Sequence, residues 1–152
     1  MDSSIDLNQA TQPETEEVDR AALAAKLAYA TPENAPLVPG RRAFFKYRDL
    51  GVTDATDGRM RAQLTIGTGE MQQTGWHYHL CEAQFIYTLR GWVDLVFEDG
   101  RQIRVGEGES LLIPGGLKHN EIAISEDFEL LEVSIPAKMG TVPCDPPAGF
   151  TA

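Results

Sequence analysis

The chain of 152 residues contains three histidines, and all three fall in two short segments. Residues 75–91 read GWHYHLCEAQFIYTLRG and carry His77, His79 and Gln84; residues 108–120 read GESLLIPGGLKHN and carry His119. Imidazole nitrogen is the commonest protein ligand for first-row metals. Three such ligands can hold a divalent ion and leave positions open for water or substrate. A lone histidine is more often a surface or packing residue. Here both segments must be explained together, and coincidence is a poor account of them.

Strands are the elements that would bring these side chains together. Side chains alternate faces along a strand, so His77 and His79 point one way while Trp76 and Tyr78 point the other, as packing. Four residues separate His79 from Gln84, and an antiparallel return can place Gln84 beside the two histidines. In the second segment a strand ends at Ile113, Pro114-Gly115-Gly116 turns the chain, and His119 opens the next strand.

The surrounding sequence has the same texture. Short runs of β-branched and aromatic residues predict strands over 42–47, 60–66, 76–79, 84–89, 92–98, 101–105, 110–113, 120–124 and 128–135. Glycine-bearing turns separate them, and Asp99-Gly100 between two alternating runs is a hairpin signal. Many short strands without intervening helices predict a sandwich or barrel. Ahead of them, residues 15–30 are alanine-rich, with Leu23, Leu27 and Ala30 on one stripe, and predict a helix. The stretch TPENAPLVPG is a proline linker. The resulting division is an acidic leader over 1–40 (disordered over 1–14), a β body over 41–137, and a proline-rich tail without periodicity over 138–152.

Composition narrows the partners. An apolar fraction of 42% supports one hydrophobic core. Net charge is −10, and half of it sits in residues 1–20, where six acids face one base. Phosphate backbones and anionic membranes should be repelled, and no basic stripe or nucleic-acid motif argues otherwise. The start lacks a signal-peptide pattern, and no run approaches the roughly 18 apolar residues that span a membrane. Cys81 and Cys144 have no metal or redox spacing and are expected to be free thiols. These features predict a cytoplasmic protein that binds a small molecule.

The two segments resemble the paired motifs of the cupin superfamily. The first cupin motif has HxH, four residues, an acid, six residues and glycine; this chain has His77-Tyr78-His79, four residues, Gln84, six residues and Gly91. The second has glycine, five residues, PxG, two residues and histidine, matched by Gly108, Pro114-Gly115-Gly116 and His119. The resemblance implies an all-β fold, a double-stranded β-helix or jelly-roll-like barrel, here with an N-terminal helical extension. It implies one divalent metal (Mn, Fe, Ni or Zn) on His77, His79, Gln84 and His119, and pairing into homodimers. Three positions depart from the pattern: Gln84 replaces the acid, Met71 an expected glycine, and Ala123 a frequent asparagine.

The first departure bears on chemistry. A carboxylate offsets one unit of metal charge, whereas an amide oxygen offsets none. The centre would then be a stronger Lewis acid toward an anionic or carbonyl substrate. Two other readings stand beside this one: Gln84 is merely a polar barrel residue beside three histidine ligands, or the site has lost its metal. A three-histidine, one-glutamine set with this spacing is similar to the small cupins that process unsaturated uronates in pectin breakdown. That points to non-redox lyase, isomerase or ring-opening chemistry. The alternatives are a cupin dioxygenase and a non-catalytic ligand-binding cupin.

Catalytic candidates follow from alternation. Ile86 and Thr88 share the face of Gln84, while Arg61, Gln63, Thr65, Tyr87, Trp92, Asp94 and Arg104 lie on neighbouring strands with their facing open. Arg61 or Arg104 would hold a substrate carboxylate. Tyr87 and Glu82 are further candidates, and Glu82 or Asp94 would act as a base. A solvated outer face is the plain alternative for each.

Overall fold

The computed structural model describes residues 17–69 and 71–150. The leader over 1–14, expected to be disordered, lies outside the described residues. Among the described residues the order is α1 (Arg20–Ala25), β1 (Val38–Pro39), β2 (Phe45–Asp49), α2 (Val52–Ala55), β3 (Arg61–Gly67), β4 (His77–His79), β5 (Ala83–Arg90), β6 (Trp92–Phe97), β7 (Gln102–Gly106), β8 (Ser110–Pro114), β9 (His119–Ile124), β10 (Glu129–Ile135) and β11 (Thr141–Pro143). The strands form two antiparallel sheets, ordered β1-β2-β3-β10-β5-β8 and β11-β4-β9-β6-β7. This is a mostly β fold, a β-sandwich of two antiparallel sheets with only short helices. No helix among the described residues is long and apolar enough to cross a membrane.

Period-two alternation produces the interior. Burial alternates along β5, where Gln84, Ile86 and Thr88 face inward, and along β6, where Val93, Leu95 and Phe97 do. Ile86, Val93, Leu95, Phe97, Val105, Ile113, Phe128 and Leu130 pack into one apolar core. Replacing the fully buried Phe128 with alanine should cost about 3–5 kcal/mol. The Asp99-Gly100 turn joins β6 to β7, with Gly100 at φ +92°.

Three features differ from the sequence expectation. The helix predicted over 15–30 is confined, among the described residues, to Arg20–Ala25. Asp19 caps it by accepting from the amides of Ala21 and Ala22, and none of its residues is buried. Without tertiary packing, propensity alone does not extend so short a helix. The proline-rich segments on both sides of the body also contribute strands. β1 pairs with β2, and β11 pairs with β4. Both are edge strands, the positions where proline does not interrupt a ladder.

Candidate metal centre

β4 and β9 carry the three histidines inward. His77 and His119 are register partners across these strands, and His79 follows two residues on from His77. Gln84 opens the inward face of β5 on the opposite sheet. Two motif glycines hold the connections close. A Cβ on Gly115 would lie 1.5 Å from the carbonyl oxygen of Cys81, so only glycine lets the turn before β9 touch the loop before β5. Gly91 has φ +66°, and a Cβ there would lie 1.8 Å from Ser125 Oγ.

The nitrogen and oxygen atoms are arranged for a cation. The ligand atoms of His77, His79 and His119 all lie within 4.8 Å of one another, and the three side chains are buried. Each Nδ1 has a partner outside the cluster. His77 Nδ1 lies 2.7 Å from Gly75 O, His119 Nδ1 lies 2.9 Å from Leu117 O, and His79 Nδ1 lies 3.0 Å from Thr141 Oγ1 and 3.3 Å from Gly140 O. Donation to the carbonyls of Gly75, Leu117 and Gly140 fixes the proton on Nδ1 and leaves each Nε2 lone pair turned inward. His119 Nε2 and Gln84 Oε1 are buried and have no hydrogen-bond partner. Buried polar atoms are rarely left unpaired, and two such acceptors beside two more imidazoles fit a divalent ion. Burial, with His119 and His77 nearby, pushes His79 down to about 4, and burial lowers His119 as well. Both are held neutral, the form that binds metal.

A cavity of about 110 Å³ adjoins the cluster; His77, His79, Gln84, Arg61, Glu121 and Glu132 contribute to its wall. Tyr47 and Arg42 complete its polar side. A smaller space of about 40 Å³, shared with Gln84, Glu121 and Glu132, continues toward Ile86, Leu95 and Phe128. Glu132 accepts from Arg61 Nη2 at 2.5 Å, and Gln84 lines the same cavity beside it. Burial nevertheless holds Glu132 above the ordinary carboxylate range. Glu121 moves the other way. Burial would raise it, but His77, His119, a hydrogen bond from Thr74 and His79 together hold it below its ordinary value.

The structure thus brings His77, His79, Gln84, His119 and Arg61 together. It does not bring the other catalytic candidates to the cavity. Arg104 is on the outer face of β7, where it donates to Asp94 at 2.7 and 2.9 Å and stacks 3.7 Å over the Trp92 ring. Its neighbours Ile103 and Val105 take the inward positions, which alternation then denies to Arg104. Tyr87 is exposed on the outer face of β5, between inward Ile86 and Thr88. Glu82 is exposed in the connection before β5. Trp76 packs against Phe150 at 4.9 Å, and Cys81 and Cys144 are free thiols. The carboxylates that do line the cavity, Glu121 and Glu132, were not among the sequence candidates. Glu121 lies two residues after His119 on one strand, which is the signal that would have found it.

Residues 63–134 match the cupin domain family. No curated protein matches the chain by sequence. Among solved structures, the polyketide cyclase RemF from Streptomyces resistomycificus is similar, with TM-score 0.62 and 22% identity over 82% of this chain and 87% of that one. KdgF from Halomonas sp. is similar with TM-score 0.61 and 14% identity, over 72% of this chain and 94% of that one. Oxalate decarboxylase from Bacillus subtilis matches with TM-score 0.58 and 20% identity, over 77% of this chain and 32% of that one. At these identities the likeness is one of fold.

Proposed function

We propose that this cupin-domain chain is a metal-dependent enzyme that acts, without redox change, on a small polar or anionic carbonyl compound by moving a proton next to the carbonyl. Lyase, isomerase and ring-opening reactions all belong to this class. The observation that carries the reading is the position of Glu132: a buried carboxyl held above its ordinary range, in the same cavity as His77, His79 and the unpartnered amide oxygen of Gln84. A divalent ion bound by His77, His79, Gln84 and His119 would supply Lewis acidity at the carbonyl oxygen.

The chain's own groups supply the rest. Glu132, as carboxylate, takes a proton from the carbon beside the carbonyl. The C–H electron pair moves into the new C=C bond, and the carbonyl pair shifts onto oxygen. Return of the proton to a different carbon completes an isomerisation, and loss of a β leaving group completes a lyase reaction. A carboxyl raised by burial is better matched to this transfer near neutral pH than an ordinary one. Arg61 holds Glu132 through Nη2, while its buried Nε has no partner and can donate to an anionic substrate group. The apolar space beyond, walled by Ile86, Leu95 and Phe128, would take an uncharged part of the molecule and exclude water.

Similar folds carry a polyketide cyclase and an oxalate decarboxylase, so the fold alone does not choose the chemistry. A homodimer is part of the reading, and the exposed apolar side chains Phe85, Tyr87, Leu89 and Leu112 form the surface it would cover. The test is a screen of unsaturated uronates and dicarbonyl compounds with protein loaded with manganese, nickel or zinc, following product and oxygen together. Turnover without oxygen uptake is expected, with Glu132→Gln about 100-fold slower or worse and its metal retained. Oxygen consumption by the iron form, or full turnover in Glu132→Gln, overturns the reading.

A further inference from the structure

Beside the cavity at the histidines lies a wider space of about 520 Å³, and the two share Arg41, Arg42, Thr74 and His77 in their walls. The wider space also touches Thr141, whose hydroxyl meets His79. Among the described residues its wall holds two arginines and no acid. The chain as a whole carries 23 acids against 13 bases, so this balance runs against its overall charge.

The backbone holds both arginines at this place. They lie in the turn between β1 and β2, which is closed by hydrogen bonds from Gly40 N to Phe45 O at 2.9 Å and from Phe45 N to Arg42 O at 3.0 Å. A Cβ on Gly40 would lie 2.8 Å from Phe45 O, so the turn closes only with glycine there. The Thr68 amide, just past β3, donates to Phe44 O at 2.9 Å and ties the turn to the body. Arg42 Nη2 donates to Thr74 O at 2.9 Å, which fixes that guanidinium at the rim and leaves its other N–H groups to face a ligand. Among the described residues neither Arg41 nor Arg42 has a carboxylate partner, whereas Arg61 is tied to Glu132.

We infer that Arg41 and Arg42 form an oxyanion subsite at the mouth of the cavity, which takes the carboxylate or phosphate of a small polar substrate and leaves its carbonyl end directed at the histidines. Guanidinium groups bind either anion through paired N–H donors. This rests on the reading of the inner cavity as a substrate site, and deepens it by placing the anionic end outside, on the β1–β2 turn. Arg61 stays with Glu132 at the reacting end. On an acidic protein, a local positive rim also draws an anion to this opening.

The experiment uses the zinc-loaded full chain and three probes of equal ring size: glucuronate, glucose 6-phosphate and neutral glucose. Isothermal titration follows binding to the parent, to Arg41→Gln/Arg42→Gln, and to Lys46→Gln, which removes charge from an exposed position on β2 outside both spaces. The parent should bind one of the anions at least about tenfold more tightly than glucose, and the anion it prefers separates carboxylate from phosphate. The double variant should bind that anion at least about tenfold more weakly, the scale of a lost charged hydrogen bond, with zinc content and glucose binding unchanged. Lys46→Gln should behave as the parent. A parent that binds neither anion better than glucose, parent-like affinity in the double variant, or an equal loss in Lys46→Gln overturns the inference. Loss of zinc along with the anion would mark the arginines as structural and overturn it too. None of these results touches the proton-transfer reading, which Glu132→Gln judges, and oxygen uptake by the iron form would overturn that reading while leaving the subsite. Should the double variant not fold, Arg41→Gln alone decides, since Arg41 is exposed: weaker anion binding supports the subsite, and parent-like binding overturns it.

Discussion

His77 and His119 stand opposite each other across β4 and β9, with ring centroids 4.4 Å apart. They come from the two separate histidine segments, so the sheet itself assembles the centre. Register partners on adjacent strands hold their Cβ atoms about 4.5–5.5 Å apart. Their side chains therefore cannot avoid each other, and a shared ion would let two buried imidazoles face inward together.

The orientation of His79 depends on Thr141 and Gly140, in and just before the edge strand β11. Thr141→Val removes one of these partners while keeping the shape. Metal affinity should fall about tenfold, on the scale of lost outer partners of a ligating histidine. Chelator competition measures it, and an unchanged affinity would show that Gly140 alone fixes the ring.

Gln84→Glu restores the acid common at that position but sets it against Glu132. The metal-free variant should melt below the parent, because two carboxylates then share a buried site. Added metal should recover the loss, with affinity equal to or above that of the parent and turnover lower. Paired melting curves with and without zinc check this.

Much of this site was legible because period-two alternation and glycine turns report facing directly. Spacing put His77 and His79 on one face of a strand and Gln84, Ile86 and Thr88 on one face of the next, and the motif resemblance turned both inward. Glu132 was not legible, because the more apolar face of β10 is the outward one. Leu131, Val133 and Ile135 face outward while Leu130, Glu132 and Ser134 face inward, so hydrophobicity pointed to the wrong side. Arg104 misled for the converse reason: its partner Asp94 lies across the β6–β7 pair on the outer face, a contact that only the register reveals. β1 and β11 were hidden by their prolines, which sheet edges tolerate.

The leader should be separable from the barrel. α1 buries none of its residues, and its Lys26–Asp57 ion pair is exposed. The firmer tie is Arg48, which donates to the carbonyls of Pro32 and Ala35. A chain beginning at Leu37 keeps β1 and should fold and bind metal, with about 1–3 kcal/mol lost through the Arg48 contacts. Denaturant unfolding of the two chains checks it, and an unfolded product would show that residues 17–36 cover the body.

Metal-free protein should lose stability as pH falls from about 6.5 toward 4. His79 is held at about 4 when folded and returns to its ordinary value near 6.5 when unfolded, so the unfolded chain binds more protons in that window. His119 acts in the same direction, and Glu132, raised by burial, acts in the opposite one. Melting temperature against pH should therefore slope upward between those values, and His79→Gln should flatten the slope. A parent-like slope in that variant would remove His79 as its source.

The most direct measurement is the metal content of the purified protein and of His119→Ala. His119 is fully buried, its Nε2 has no partner, and it alone brings the second segment into the cluster. One divalent ion per chain is expected in the parent, with binding at least about tenfold weaker in His119→Ala. Full occupancy in His119→Ala would contradict a centre built from both segments.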